Sequence, residues 1–382
     1  MQVAVIRDFD SLASLREAWN LAVEASHNDS VFLTHEWFYS WAKAFSSPDE
    51  LYVLVAYDHG RVLGIMPLKI ERARRGMWTG TVLKSMSNPH TCKYDIIVHR
   101  ERRVDVLAAM FRYIGEHIPW AVMELNYVPV SSPSVDLLRG FQGSGFYRMR
   151  ILPWMESPYV AIEGSWDSYF SGRDKRVRKN WQNFERRANR EGSSEVVSIH
   201  GGKDLEKGVR AAFEIEKTSW KGAVGSAMAM SDAISGFYLD LAERMSCHGR
   251  FQLHFLNFNG QKIAFDYCLK YKDHFNVLKT GYNPAFSVHS PGRVLHVKVL
   301  RSLYDQGTFK KCDLLGTRDV WKEEFTNLAE PLIQVRLYNR RFDAMLAYGV
   351  LRFLERTKKK LRQYPQIYKS AKSVYIGLKH AR

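Results

Sequence analysis

Residues 51–70 read Leu-Tyr-Val-Leu-Val-Ala-Tyr-Asp-His-Gly-Arg-Val-Leu-Gly-Ile-Met-Pro-Leu-Lys-Ile, and residues 251–270 read Phe-Gln-Leu-His-Phe-Leu-Asn-Phe-Asn-Gly-Gln-Lys-Ile-Ala-Phe-Asp-Tyr-Cys-Leu-Lys. Each stretch is a pair of β-rich runs joined by two turn residues, His59-Gly60 in one and Asn259-Gly260 in the other, at an offset of 200. A two-residue hairpin turn needs positive φ, which Gly and Asn adopt with little steric cost, so both stretches predict β-hairpins. A helical pattern precedes each one, over 34–45 with Thr34 as N-cap, and over 235–247. The chain therefore reads as two copies of one α/β unit.

Outward from the first hairpin, the pattern predicts a strand at 94–98, a helix over 104–117 and a strand at 121–127. The second copy opens with a basic helix over 173–190, in which Val177, Trp181, Phe184 and Ala188 form one apolar stripe. Ser171 with Asp174 resembles a capping box at its start. A helix over 204–219 follows, and after the hairpin come strands at 275–280, 312–315 and 333–337. The expected division is 1–165, 166–340 and a basic amphipathic helical tail over 341–382.

The net charge of +16 is local: 341–382 contribute +9 and 173–190 contribute +6. A nearly neutral remainder argues against a body built throughout for nucleic acid. No apolar run approaches the roughly 20 residues that span a bilayer. Met1 to Asp8 lacks a signal-peptide pattern and reads as an opening strand. Cys92, Cys247, Cys268 and Cys312 have no metal-type spacing and read as buried thiols in a reducing, cytoplasmic setting. No metal is expected. In the tail, Phe342, Met345, Leu346, Gly349, Val350, Phe353 and Leu354 trace one helix face, with Arg356, Lys358, Lys359, Lys360 and Arg362 near its end. Such a helix either lies on an anionic membrane surface or packs on the body with a solvated basic end.

Between the 275–280 strand and the next helix stands His289-Ser-Pro-Gly-Arg-Val-Leu295. A strand, a Pro-Gly turn and a helix start leave free N–H groups at the positive end of a helix dipole, a place for a phosphate or diphosphate. Pro291 fits the first helical turn. Gly292 lets a ligand approach the backbone. Ser-Pro-Gly also opens ordinary helices.

Several pieces recur together: Thr34-His-Glu-Trp37, Arg176-Val-Arg-Lys-Asn180, Ser219-Trp-Lys-Gly222, Ser290-Pro-Gly-Arg-Val-Leu295, Asp313-Leu-Leu-Gly316 and Trp321-Lys322. In this order they resemble the CelD/BcsL-type acetyltransferases found beside exopolysaccharide and cellulose biosynthesis. These are GNAT-fold proteins related to the FemAB peptidoglycan transferases. The resemblance covers roughly residues 1–340. It implies tandem GNAT-like domains with mixed sheets flanked by helices. It also implies acyl transfer from acetyl-CoA or another acyl-CoA to an amino or hydroxyl group of a sugar or lipid-linked envelope precursor. The family's phosphate loop is usually richer in glycine, whereas Gly292 is the only one here. FemAB relatives use aminoacyl-tRNA, so a tRNA donor stays open, as does a non-catalytic scaffold.

Acyl transfer needs a held diphosphate, N–H groups for the thioester carbonyl, a base for the nucleophile and a proton for the leaving thiolate. Ser290, Pro291, Gly292 and Arg293 answer the first, with Arg293 either on phosphate or in solvent. Asp266 sits mid-strand, on a face with Ala264 and Cys268, while Ile263, Phe265, Tyr267 and Leu269 share the other. It is either a general base or the partner of Lys279 on the neighbouring strand. Met66 holds the matching place in the first copy. His289 is a second candidate base, or simply an exposed loop residue. The resemblance suggests Tyr282 as the proton donor to the thiolate. Glu216, Trp220 and Lys221 offer an acid, an aromatic ring and a cation to a sugar or amine, or else pack and face solvent. Lys279 and Asp313 are polar residues in strands and candidates for the cleft wall. No Gly-x-Ser-x-Gly elbow is present. Direct attack of the acceptor on the thioester is the simpler mechanism.

Overall fold

The computed structural model describes residues 1–75, 78–143, 146–218 and 228–362, with only the backbone described at 75, 143, 188, 189, 191 and 358–362. The strands are β1 (Gln2–Ile6), β2 (Leu51–Asp58), β3 (Arg61–Arg75), β4 (Trp78–Ser85), β5 (Ile97–Val98), β6 (Val122–Pro129) and β7 (Tyr147–Ala161). They continue as β8 (Ser194–Ile199), β9 (Phe251–Phe258), β10 (Gln261–Tyr271), β11 (His274–Tyr282), β12 (Lys311–Asp313) and β13 (Ala329–Asn339). Both hairpins form as read. Asp58 pairs with Arg61 and Phe258 with Gln261. The turn residues have the positive φ their chemistry allows, 47° and 75° at His59 and Gly60, 50° and 80° at Asn259 and Gly260.

One mixed sheet runs β1-β2-β3-β4-β6-β13-β7-β12-β11-β10-β9-β8, with β5 alongside β3. The first copy is an antiparallel run from β1 to β4, a crossover through the helix Arg103–His117, and a parallel return at β6. The second repeats it from β8 to β11, with the helix Pro291–Gln306 and a parallel return at β12. The last strand of each copy is exchanged. β7 pairs with β12 of the second copy, β13 pairs with β6 of the first, and β7 and β13 lie antiparallel at the centre.

The exchange gives the chain a pseudo-two-fold axis. The helices His35–Phe45 and Asp232–Cys247 meet across it. Trp37 touches Phe237 with ring centroids 5.6 Å apart, and Ser40 Oγ donates to Asp240 at 2.7 Å, both at the same offset of 200. Residues that meet their own counterparts are what a two-fold contact requires. β2, second from the edge, is covered on both faces, so Leu51 to Ala56 are all buried, without alternation.

Several local expectations shift. Thr34 takes the N-cap position, but its hydroxyl donates to the Val31 carbonyl at 2.7 Å instead of capping. Ser171 ends the short helix Trp166–Ser171, and Asp174 alone caps Lys175–Glu191, accepting from Arg176 N at 2.7 Å. Ile263 packs with Ala264 and Cys268, because a bulge between Lys262 and Ala264 moves it to the other face. Cys268 and Cys312 are buried, while Cys247 is exposed. The tail forms a helix, Phe342–Arg362, on β4 and β13; residues 363–382 lie outside the described residues.

Candidate active site

β11 and β12 pair over only three residues each, His274–Asn276 with Lys311–Asp313. Beyond that they diverge. Val277 to Tyr282 form one side of the resulting wedge and Leu314 to Gly316 the other. The wedge is a cavity of about 620 Å³, within the range that holds a drug-sized ligand or cofactor. The start of Pro291–Gln306 faces it through Ser290, Gly292 and Arg293. Across from them stand Pro89 to Cys92, Tyr127 and Met155, all from the first copy. The cavity is thus built by both halves of the chain.

The turn at its edge is tight. Residues 284–289 form a 3-10 turn, and Ser290 adopts a left-handed conformation with φ 48° and ψ 51°. For a non-glycine residue this costs about 1–2 kcal/mol. The Ser290 carbonyl accepts from Arg293 N and Val294 N at 3.0 and 3.1 Å, and its side chain makes no cap bond. Pro291 occupies the first turn as expected. A Cβ at Gly292 would lie 3.6 Å from the Tyr282 ring, an ordinary contact. The protein itself does not demand glycine there.

The other candidates separate into cavity and core. Tyr282 and Lys279 line the cavity, and the Lys279 ammonium lies 5.5 Å from the centre of the Tyr238 ring. Arg293 also lines it, half-buried. It grips Glu324 through Nε at 3.0 and 2.9 Å and through Nη2 at 2.9 Å. Asp266 is fully buried and does not line the wall. Its Oδ2 meets His296 Nδ1 at 3.1 Å, so its partner is a helix histidine and not Lys279, which registers opposite Tyr267. His296 in turn packs edge-on against Trp321, a cavity residue, at 5.6 Å.

His289 is buried against the Phe258 ring at 5.1 Å instead of exposed, and it too is off the wall. Glu216 is buried and accepts from Met228 N at 2.7 Å. Asp313 is buried in an ion cluster. Lys93 lies at 2.7 Å and Lys311 at 3.4 Å, with Ser157 Oγ and Leu315 N donating to it. Burial pushes its pKa up, but the two lysines and the hydrogen bonds outweigh that and hold it below the ordinary value. Trp220 and Lys221 lie outside the described residues.

Among the cavity residues without an assigned role in the sequence are His90, Cys92, Tyr127 and Lys322. His90 stacks on Phe45 with rings 3° from parallel, and its Nδ1 lies 3.0 Å from the Tyr238 hydroxyl. Its backbone N–H donates to Asn88 Oδ1 at 2.9 Å, which fixes the loop. Burial, helped by Lys279, lowers its pKa to about 4, so the ring is neutral at pH 7. Burial pushes the Cys92 thiol up to about 12, so it is no thiolate nucleophile. Tyr127 has φ 61°, at a bulge where β6 meets β13, and its ring reaches the cavity beside Trp154. Lys322 lies almost buried in the wall, donating to the carbonyls of Leu315 and Thr317 at 2.5 and 2.8 Å. The Asn88-Pro89 turn signal marks the His90 loop in the sequence. Nothing local marks Tyr127.

Comparisons with known proteins agree with this architecture. Residues 175–323 match the family model described as "Acetyltransferase (GNAT) domain". The second copy is therefore a GNAT-type domain by sequence as well as by topology. The chain is similar in structure to FemX, at 11% identity and TM-score 0.59, covering 89% of this chain and 97% of that one. It is also similar to the C-terminal domain (DUF2156) of a putative lysylphosphatidylglycerol synthetase from Agrobacterium fabrum, at 14% identity and TM-score 0.53, covering 90% and 97%. L-PGS from Bacillus licheniformis superimposes at 10% identity and TM-score 0.51, covering 92% and 98%. At such identities these likenesses show the fold alone. No curated protein matches the chain in sequence.

Proposed function

We propose that the chain is an acyltransferase of the CelD/BcsL kind. It moves an acetyl or other acyl group from acyl-CoA to an amino or hydroxyl group of a sugar or envelope precursor, in the cytoplasm. The observation that carries this reading is the wedge between β11 and β12, with the start of a 16-residue helix opening onto it. The helix dipole, the Gly292 backbone and Lys279 make the cavity attractive to a diphosphate, while Arg293 is engaged by Glu324 and Lys322 by the Leu315 and Thr317 carbonyls. Ser290 and Gly292 would hold that group, and the space beyond would take the thioester.

The acceptor attacks the thioester carbonyl. A C–N or C–O bond forms and the C–S bond breaks. His90 takes the acceptor's proton through Nε2, with Tyr238 holding the other ring nitrogen. Tyr282 gives a proton to the leaving thiolate, and His90 restores it. Asp266 acts at a distance, fixing His296 and through it Trp321. The test is a thermal-shift panel of acetyl-CoA, longer acyl-CoAs and tRNA. Acyl-CoA should raise the melting temperature. No shift with any acyl-CoA sinks the reading. Donor binding without turnover on any amine or hydroxyl acceptor would favour a scaffold.

A second reading rests on the helix Lys175–Glu191. Arg187 Nη1 donates to Val288 O at 2.8 Å, just before the Ser290 turn, and Lys175, Arg176, Lys179, Arg186 and Arg190 are exposed. A tRNA carrying an aminoacyl group would find phosphate partners there. Stabilisation by tRNA, weakening steeply with salt, would favour it.

A further inference from the structure

We propose that the outward face of the helix Phe342–Arg362 seats the protein on an anionic lipid bilayer. This helix already has its inward apolar face satisfied. Ala344, Ala347 and Leu351 are buried against Trp78, Val82, Val122 and Tyr338. Trp78 Nε1 donates to the Asp343 carbonyl at 2.9 Å, and Glu355 is held by Arg150 at 2.7 Å and by Arg336. The helix is therefore clamped, and its rotation is set.

That rotation leaves a second apolar stripe in water. Phe342, Leu346, Gly349 and Phe353 follow at spacings of four, three and four, so they share one face. Phe342 is 86% exposed, Phe353 68% and Leu346 49%. A helix packed on its own body alone has no use for two exposed phenylalanines.

Charge says what covers the stripe. Arg341, Arg352 and Arg356 are exposed beside it, and residues 341–382 hold eleven basic side chains against two acidic ones. Those two acids are already engaged, Glu355 as above and Asp343 with Arg341 at 3.4 Å. Aromatic and aliphatic groups flanked by cations fit a surface with an apolar interior and anionic headgroups. A second copy would set two strongly positive tails against each other. A nucleic acid would satisfy the cations and leave the stripe in water. No described helix is long and apolar enough to cross a membrane, so this contact lies on the surface. The inference is independent of the acyl-transfer reading.

The test is co-sedimentation of the full chain with vesicles of phosphatidylcholine alone and with about one-quarter phosphatidylglycerol. Binding is expected only to the anionic vesicles, and should weaken with salt. The triple variant F342S/L346S/F353S should bind about tenfold more weakly with an unchanged melting temperature, since these side chains lie outside the core. Wild-type protein that stays in the supernatant with anionic vesicles overturns the proposal. So does a triple variant that binds as well as wild type. A wild-type dimer that this variant turns into a monomer assigns the stripe to self-association, and overturns it too.

Discussion

The two copies share an order of main strands and crossover helix, and they differ most in the gap beyond their parallel pair. In the second, β11 and β12 part after three paired residues and a cavity opens between them. In the first, β4 and β6 also pair over three residues, Val82–Lys84 with Val122–Glu124. There the gap beyond is bridged. Asn126 N donates to Ser85 Oγ at 3.0 Å, Asn126 Nδ2 to Ser87 Oγ at 3.4 Å, and Gln334 bonds to Asn126 Oδ1. Gln334 comes from the exchanged strand β13, so the second copy helps to close the first. The first copy in turn supplies His90, Tyr127 and Met155 to the open cavity. One copy keeps the wedge and the other supplies part of its wall.

This asymmetry can be broken most sharply at His90. His90→Gln should lower turnover with acetyl-CoA by about a hundredfold or more, the usual scale for a lost base, while acetyl-CoA affinity stays within twofold. Steady-state thiol release and calorimetry separate the two. Gln334→Ala, at the closed wedge, should leave turnover near wild type. Equal losses at both positions would mean that the halves do not divide the work as described.

Gly292→Ala comes next. The fold accommodates the added methyl, which meets only the Tyr282 ring at 3.6 Å. Stability should hold or rise by up to about 1 kcal/mol, since Ala outranks Gly in a helix. Donor affinity should fall about tenfold if the diphosphate lies against that backbone. Unchanged affinity would move the donor elsewhere.

The matched positions 66 and 266 sharpen the comparison in stability. Asp266→Asn disturbs a buried pair with His296 and should cost about 1–3 kcal/mol in denaturant unfolding. Met66→Leu, fully buried and without a polar partner, should cost less than about 1.5 kcal/mol. A larger loss at Met66 would contradict the assignment.

A further comparison concerns pH. His90 and His254 both have pKa values lowered to about 4, in each case by burial first. Between pH 6.5 and 4 the unfolded chain binds protons at these rings that the folded chain does not. Stability should therefore fall as pH drops through that window and level off below it. His90→Gln should flatten the slope measured by denaturant midpoints at pH 7 and pH 5. A slope that steepens would contradict the neutral ring.

Much of this was legible in the chain. The Asn259-Gly260 and His59-Gly60 turns carry their conformation in their own chemistry, and the 275–280 and 291–304 stretches differ in period, so strand and helix separate. The fate of Asp266 was not legible. Alternation put it on a face with Cys268, but its partner lies thirty residues on, in a helix whose packing angle no local pattern records. His289 looked like a loop residue and is buried, because the turn folds back onto Phe258.

Sequence alone determined the repeat, the hairpins, the crossover helices and the Ser290-Pro-Gly turn at a helix start, since each depends on neighbours a few residues apart. Only the tertiary structure decided the exchange of β7 and β13, the sharing of one cavity between both copies, and which face of the Phe342–Arg362 helix stays wet. Those outcomes depend on which distant surfaces bury each other best, and that competition is settled only when the whole sheet has closed around its core.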